Sequence, residues 1–229
     1  MSTIKTFDLH KVYSETRVPV NALNGISLEF KEAEFTAIVG PSGSGKTTLL
    51  NMLGGLDTPT NGEVHINGTN ITSLPSRKLI DFRLHNIGFV FQSFNLIPVL
   101  TARENVEFIL QLQGAGKKER QQRAIELLEA VGLADKVDNR PGDLSGGQQQ
   151  RIAVARALAS KPRFILADEP TANLDSKSTA ELLDIMEKMN EQYHTTFLFS
   201  THDTRVMERA RRIVTIEDGK VAKDEIRFE

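Results

Sequence analysis

The segment "FTAIVGPSGSGKTTLL", residues 35–50, narrows the choice of fold more than any other stretch of the chain. An apolar, β-prone run passes through a glycine-rich turn straight into leucines at helical spacing, Leu49, Leu50 and Leu53. A strand feeding a helix in this way opens a βα unit. Within the turn, Gly40, Gly45, Lys46 and Thr47 satisfy the spacing G-x-x-x-x-G-K-[ST]. Gly40, Pro41, Ser42, Gly43, Ser44, Gly45, Lys46, Thr47 and Thr48 make up the whole loop. Its glycines let successive backbone N–H groups curl around phosphate oxygens, and the helix N-terminus adds partial positive charge. Lys46 is placed to bridge β- and γ-phosphates, and Thr47 to ligate Mg²⁺. These residues predict nucleotide binding but no particular reaction, because kinases, GTPases and motor ATPases use the same loop.

Further apolar runs recur as "IGFVFQ" (87–92), "FILAD" (164–168) and "TFLFST" (196–201). They are nearly continuous rather than alternating, which predicts central strands covered on both faces. Helical patterns lie between them. Ala124, Leu127, Leu128 and Val131 share one face before Gly132, and Leu182, Ile185, Met186 and Met189 share another. Strands alternating with helices predict a parallel α/β sheet. Residues 1–33 and 62–72, punctuated by Asn-Gly pairs, read as an antiparallel β flap, and residues 95–160 read as a helical lobe. The expectation is one domain over 1–229 with these two additions to an α/β core. A closing hairpin is expected to turn at Asp218-Gly219.

Chemistry is expected where strands end. Asp168 closes "FILAD", placed like the acid that holds Mg²⁺ through water, and Glu169 follows, able to polarise an attacking water. Two adjacent acids repel unless a cation lies near. Gln92 and His202 also follow apolar strands, on the rim where ligands of parallel sheets collect. Tyr13 either stacks on a purine ring or is an edge-strand aromatic.

A second glycine turn, "LSGGQQQR" (144–151), lies far from the first and carries no charge before Arg151. Ser145 is a natural helix N-cap, and Gly146 and Gly147 leave backbone N–H groups uncovered. A carboxylate there would repel phosphate, so the lack of acids fits a second anion site.

The ordered set of Tyr13, "GPSGSGKT", Gln92, "LSGGQ", "FILADE", "NLD" (173–175) and His202 resembles the nucleotide-binding subunit of ABC transporters over essentially the whole chain. The resemblance implies a P-loop NTPase with a RecA-like parallel sheet core and antiparallel β and α-helical subdomains. It implies that Ser145, Gly146, Gly147 and Gln148 cap the γ-phosphate of ATP bound to a second copy, so that a homodimer buries two ATP molecules. Thr47 and Gln92 become Mg²⁺ ligands, with Asp168 acting through water. Glu169 becomes the base, Lys46 a phosphate holder and His202 a γ-phosphate contact. The wording of "LGGLDTPTNGEV", "FVFQSFNLIPVLTARENVE" and "LSGGQQQRIAVARALA" resembles lipoprotein-release, macrolide-export and cell-division ATPases. That implies a membrane permease as partner and a place on the cytoplasmic face of the inner membrane. Phe94, Leu96, Ile97, Val99 and Leu100 then either line the groove for a permease helix or pack the helical lobe, with Arg103 and Glu104 as exposed neighbours.

Other classes fit less well. ABC proteins that act on ribosomes usually carry two cassettes per chain, and those that act on DNA insert a long coiled coil, for which no sustained heptads exist here. A net charge of −2 does not favour nucleic acid. A small-molecule kinase would leave "LSGGQ" unexplained. The absence of cysteine excludes disulfides and fits a reducing cytosol. The N-terminal run has no apolar core, so no signal peptide is expected. The short stretch after His202 leaves no room for the regulatory domain that sugar-importer ATPases carry.

Overall fold

The computed structural model describes residues 4–14 and 19–227. In chain order it forms β1 (Ile4–Tyr13), β2 (Val20–Ile26), β3 (Glu29–Phe30), β4 (Phe35–Val39), α1 (Lys46–Leu53), β5 (Asn61–Ile66), β6 (Thr69–Asn70), α2 (Ser76–Asn86) and β7 (Ile87–Phe91). Then follow α3 (Ala102–Leu112), α4 (Lys117–Ala130), α5 (Gly146–Ala159), β8 (Phe164–Asp168), α6 (Ser176–Tyr193), β9 (Thr196–Ser200), α7 (Thr204–Arg209), β10 (Arg212–Glu217) and β11 (Lys220–Ile226).

Two sheets organise these elements. The larger runs β11-β10-β4-β9-β8-β7, parallel throughout except for the β10–β11 hairpin. Its strands send alternate residues to opposite cores. Ile165, Ala167, Phe197 and Phe199 join α3, α4, α5 and α6 on one face. Phe164, Leu166 and Leu198 join α1 and the second sheet on the other. Burial on both faces is why β8 and β9 read as unbroken apolar runs. The second sheet is antiparallel, β2-β1-β5-β6 with β3 on β1.

β7 departs from the expectation, since it is an edge strand rather than a central one. Its apolar character has another cause. A Cβ on Gly88 would lie 2.5 Å from the Ala157 carbonyl oxygen, so α5 presses directly on the strand. Phe89 and Phe91 stack with centroids 5.8 Å apart and form one wall of a groove. The helical patterns hold where they were read: Ala124, Leu127, Leu128 and Val131 are buried, as are Leu182, Met186 and Met189, and Gly132 leaves α4 with φ +71. α2 was not anticipated. None of its residues is fully buried: Leu79 and Phe82 pack half-buried on the core while Ile80 and Leu84 line the groove, so its apolar residues form no single stripe.

Candidate nucleotide site

The phosphate loop hangs between β4 and α1. Its glycines are dictated by close approach: a Cβ on Gly40 would lie 2.1 Å from the Ile216 carbonyl oxygen, and one on Gly45 would lie 2.3 Å from that of Ala22. Both have positive φ, which an L side chain rarely adopts. Gly45 caps α1 without any side-chain hydrogen bond, and the first turn carries no acid. The leading N–H groups of α1 are therefore left for an anion. Lys46 is almost fully buried and its Nζ donates to the carbonyls of Gly40 and Pro41, each at 2.9 Å, which holds the ammonium on the loop. The Ser44 hydroxyl is buried and finds no hydrogen-bond partner among the described residues.

Asp168, at the end of β8, meets Thr47 with Oγ1 to Oδ1 at 3.0 Å, which brings two of the residues expected at a metal together. Glu169 follows in a left-handed conformation, φ 45, a strained geometry that surrounding bonds must hold. Its N–H donates to the Ser200 carbonyl at 2.8 Å. Its carboxylate lies 2.7 Å from His202 Nδ1 and accepts from Thr201 Oγ1 at 3.3 Å. Thr201 was not foreseen, and a hydroxyl inside an apolar strand end gave no signal of its role.

Gln92 follows β7. Its carbonyl accepts from Asn173 Nδ2 at 3.0 Å, which ties this loop to the "NLD" stretch. Phe94 and Asn95 beyond it both have positive φ, and the half-buried Arg156 donates to both carbonyls. Among the described residues no carboxylate pairs with Arg156, and burial lowers its pKa. Gln150, fully buried on α5, donates through Nε2 to the Pro170 carbonyl at 2.8 Å and lies 3.4 Å from that of Phe91. It pins α5 to the ends of β7 and β8.

The second glycine turn begins α5. Ser145 and Gln148 form a reciprocal capping box: Ser145 Oγ accepts from the Gln148 N–H at 3.3 Å, and Gln148 Oε1 accepts from the Ser145 N–H at 2.9 Å. A Cβ on Gly147 would lie 2.8 Å from Ser178 Oγ, and one on Gly146 would face Phe94, Asn173 and Leu174. This turn thus has different neighbours from the phosphate loop, whose glycines abut Ala22, Leu23 and Ile216.

Tyr13, at the end of β1, donates its hydroxyl to Asp57 Oδ2 at 2.9 Å and lies beside the Thr48 side chain. The sequence left open a purine stack or an edge-strand aromatic and gave no sign of the tether to Asp57.

Thr171 and Asp203 complete the rim, with Thr171 Oγ1 donating to Asp203 Oδ2 at 2.8 Å. The Asp203 carboxyl is held down to about 2, from 3.8, by the forked Arg205 bond, against the cost of burial and with help from Thr171. A carboxyl lowered in the native state stabilises fully above its unfolded value and loses that contribution as pH falls through its native one. Asp203→Asn should therefore destabilise the protein by about 1–2 kcal/mol near neutrality. Urea unfolding as a function of pH should show the gap to the parent narrowing as pH falls from about 4 toward about 2.

A glycine loop between strand and helix, an acid pair at the end of a parallel strand one place removed across β9, and two core-covered sheet faces define a P-loop NTPase. Residues 23–172 match the ABC transporter family. An ABC transporter ATP-binding protein of Thermotoga maritima is 50% identical over 214 residues, 93% of this chain and 91% of its own. The macrolide export ATP-binding/permease protein of Brucella abortus is 46% identical over 96% of this chain, which spans 34% of that longer protein. Two dimeric structures of the ATP-binding cassette MJ0796 align with a TM-score of 0.91 over 99% of both chains, at 43% and 44% identity. One of them is a post-hydrolysis state bound to ADP and Pi. The chain belongs to the ABC transporter family, as an ATP-binding and ATP-hydrolysing cassette.

Proposed function

We propose that two copies of this chain enclose two ATP molecules and that their hydrolysis drives a membrane permease. The observation that carries this reading is the pair of anion-ready helix starts in one chain, α1 and α5, each without acid in its first turn and each with its own set of neighbours. A second copy is what brings the turn at Ser145–Gln148 onto the phosphate loop of the first. The dimeric state of the related cassettes supports it.

In this reading Lys46 and the loop N–H groups hold the phosphates. The oxygen donors Thr47, Gln92 and Asp168, the last through water, suit Mg²⁺, a hard cation that takes few carboxylates beside substrate phosphates. When bound, Mg²⁺ would supply neutralisation of the phosphate charge. Glu169 takes the proton from water as its oxygen bonds the γ-phosphorus and the bridging bond to ADP breaks. His202, bonded to Glu169 through one ring nitrogen, presents the other to the γ-phosphate. ADP and phosphate no longer bridge the two chains, so the dimer opens.

The partner is a cytoplasmic segment of a permease, which would place the cassette on the inner face of the plasma membrane without contact with nucleic acid. Among the described residues no helix is long and apolar enough to cross a membrane. The related macrolide exporter carries its cassette within a longer ATP-binding/permease protein. A groove of about 550 Å³ lies between α2, β7, α3 and α5, lined by Ile80, Phe89, Phe91, Ile97, Phe108 and Leu112. Of the stretch expected to form it, Ile97 lines the groove, while Leu96 packs on the core. Arg103 and Glu104 are engaged in local structure, Arg103 with Glu107 and Asp138 and Glu104 in the capping box of α3, so they are poor probes of docking. Leu112, 55% exposed, is the better one. Leu112→Glu is expected to abolish co-purification with the permease in detergent while ATP binding by the isolated cassette stays at the parent level. Retained co-purification would move the docking site elsewhere.

A further inference from the structure

Tyr13 is held by more than its strand. Its hydroxyl donates to Asp57 Oδ2 at 2.9 Å and meets the Thr48 side chain on α1. Asp57 is itself fixed: Oδ1 accepts from Lys11 Nζ at 2.8 Å and from the Thr58 N–H at 2.6 Å. Lys11 Nζ also donates to the Thr58 carbonyl at 2.8 Å and lies 4.8 Å from the centroid of the Tyr13 ring. One face of the ring is therefore taken by an ammonium group, and stacking is left to the other. The protonation states agree with this arrangement. Burial and then the Asp57 bond raise the phenol pKa, so it remains a donor. Burial opposes ionisation of Asp57, but the bonds from Lys11 and Tyr13 lower its pKa.

We infer that Asp57 is a positioning residue for the nucleotide base, tethering the Tyr13 hydroxyl so that one ring face stands at a fixed place relative to the phosphate loop. The inference rests on the reading above that ATP occupies this loop, and takes the first of the two roles open to Tyr13, a stack on the base. The physical gain is preorganisation: a ring held in place before binding loses no freedom when a purine stacks on it. Because the Asp57 N–H donates to the Asn51 carbonyl of α1 at 3.4 Å, base site and phosphate site share one frame. The Asp57 carboxylate is taken up by Tyr13, Lys11 and the Thr58 N–H, so it acts on the nucleotide through the ring and its effect should depend on the presence of a base.

The test measures binding of ATP and of inorganic tripolyphosphate, which has no base, to the full chain and its variants. Tyr13→Ala removes the stacking ring and should weaken ATP about thirtyfold. Tyr13→Phe removes only the tether, and Asp57→Ala removes its acceptor. Each should weaken ATP about fivefold, the double variant should be no weaker than either single one, and tripolyphosphate should bind all of them equally. Parental ATP affinity in Asp57→Ala and Tyr13→Phe, with Tyr13→Ala impaired, would overturn the tether. So would an equal loss of tripolyphosphate binding in Asp57→Ala, since Asp57 would then only support the loop. Unchanged ATP affinity in Tyr13→Ala would instead remove the base from Tyr13, and with it the underlying reading.

Discussion

Glu169→Gln should lower ATP turnover by about 10³-fold while leaving ATP bound. The substitution keeps the volume of the side chain and an oxygen to accept from Thr201 or face His202. It also keeps the left-handed backbone at this position, which glutamine adopts no less readily than glutamate. What disappears is a group that can take the proton from the attacking water. Phosphate binding through Lys46 and the loop is untouched, so the triphosphate persists and the dimer it bridges persists with it. Size-exclusion chromatography with saturating ATP should show a stable dimer of the variant, and steady-state assays should show almost no phosphate released. A variant that stays monomeric under those conditions would contradict shared sites. One that turns over at the parental rate would remove Glu169 from the reaction.

The second large effect is expected from the glycine turn. Ser145→Glu places a carboxylate where the γ-phosphate of a neighbouring chain is expected, and it breaks the capping box with Gln148 at a cost of about 1 kcal/mol. ATP should still bind that chain's own phosphate loop, yet turnover should vanish. Lys46→Ala fails for the opposite reason: its turn is intact and its loop is not. Mixing the two inert chains should restore about a quarter of parental activity, because half of randomly formed dimers are mixed and each mixed dimer holds one intact site of two. No other arrangement of the turn predicts that two dead proteins revive each other. A mixture as inert as its components would place the turn outside the reaction.

How much of this was legible beforehand follows from range along the chain. The phosphate loop, the cap at Ser145 and the acids after β8 are each written in fewer than about ten neighbouring residues, and local geometry forces their composition. The central strands were legible because both faces are buried. The contacts that hold the site were not. Asp57 reaches Tyr13 from a loop beyond α1, Thr201 reaches Glu169 across adjacent strands, and Arg156 reaches Phe94 and Asn95 from the far part of α5. Each is an ordinary polar residue until the fold supplies its partner. β7 misled because an apolar run says only that both faces are covered, and helices cover an edge as well as a neighbouring strand does. α2 escaped because its apolar residues serve two sides, Leu79 and Phe82 the core and Ile80 and Leu84 the groove, which blurs the helical period.

α5 deserves to be seen as a machine part. Its fourteen residues make a rod about 21 Å long. One tip is the glycine turn, the other reaches the groove through Ala157 and Ser160, and Gln150 pins the shaft about a third of the way from the glycine tip. Under the proposed arrangement, a membrane subunit grips one tip and the neighbouring copy's triphosphate grips the other. Such a rod is a first-class lever: torque applied at either tip is felt at its opposite, and neither load can shift without the other being told.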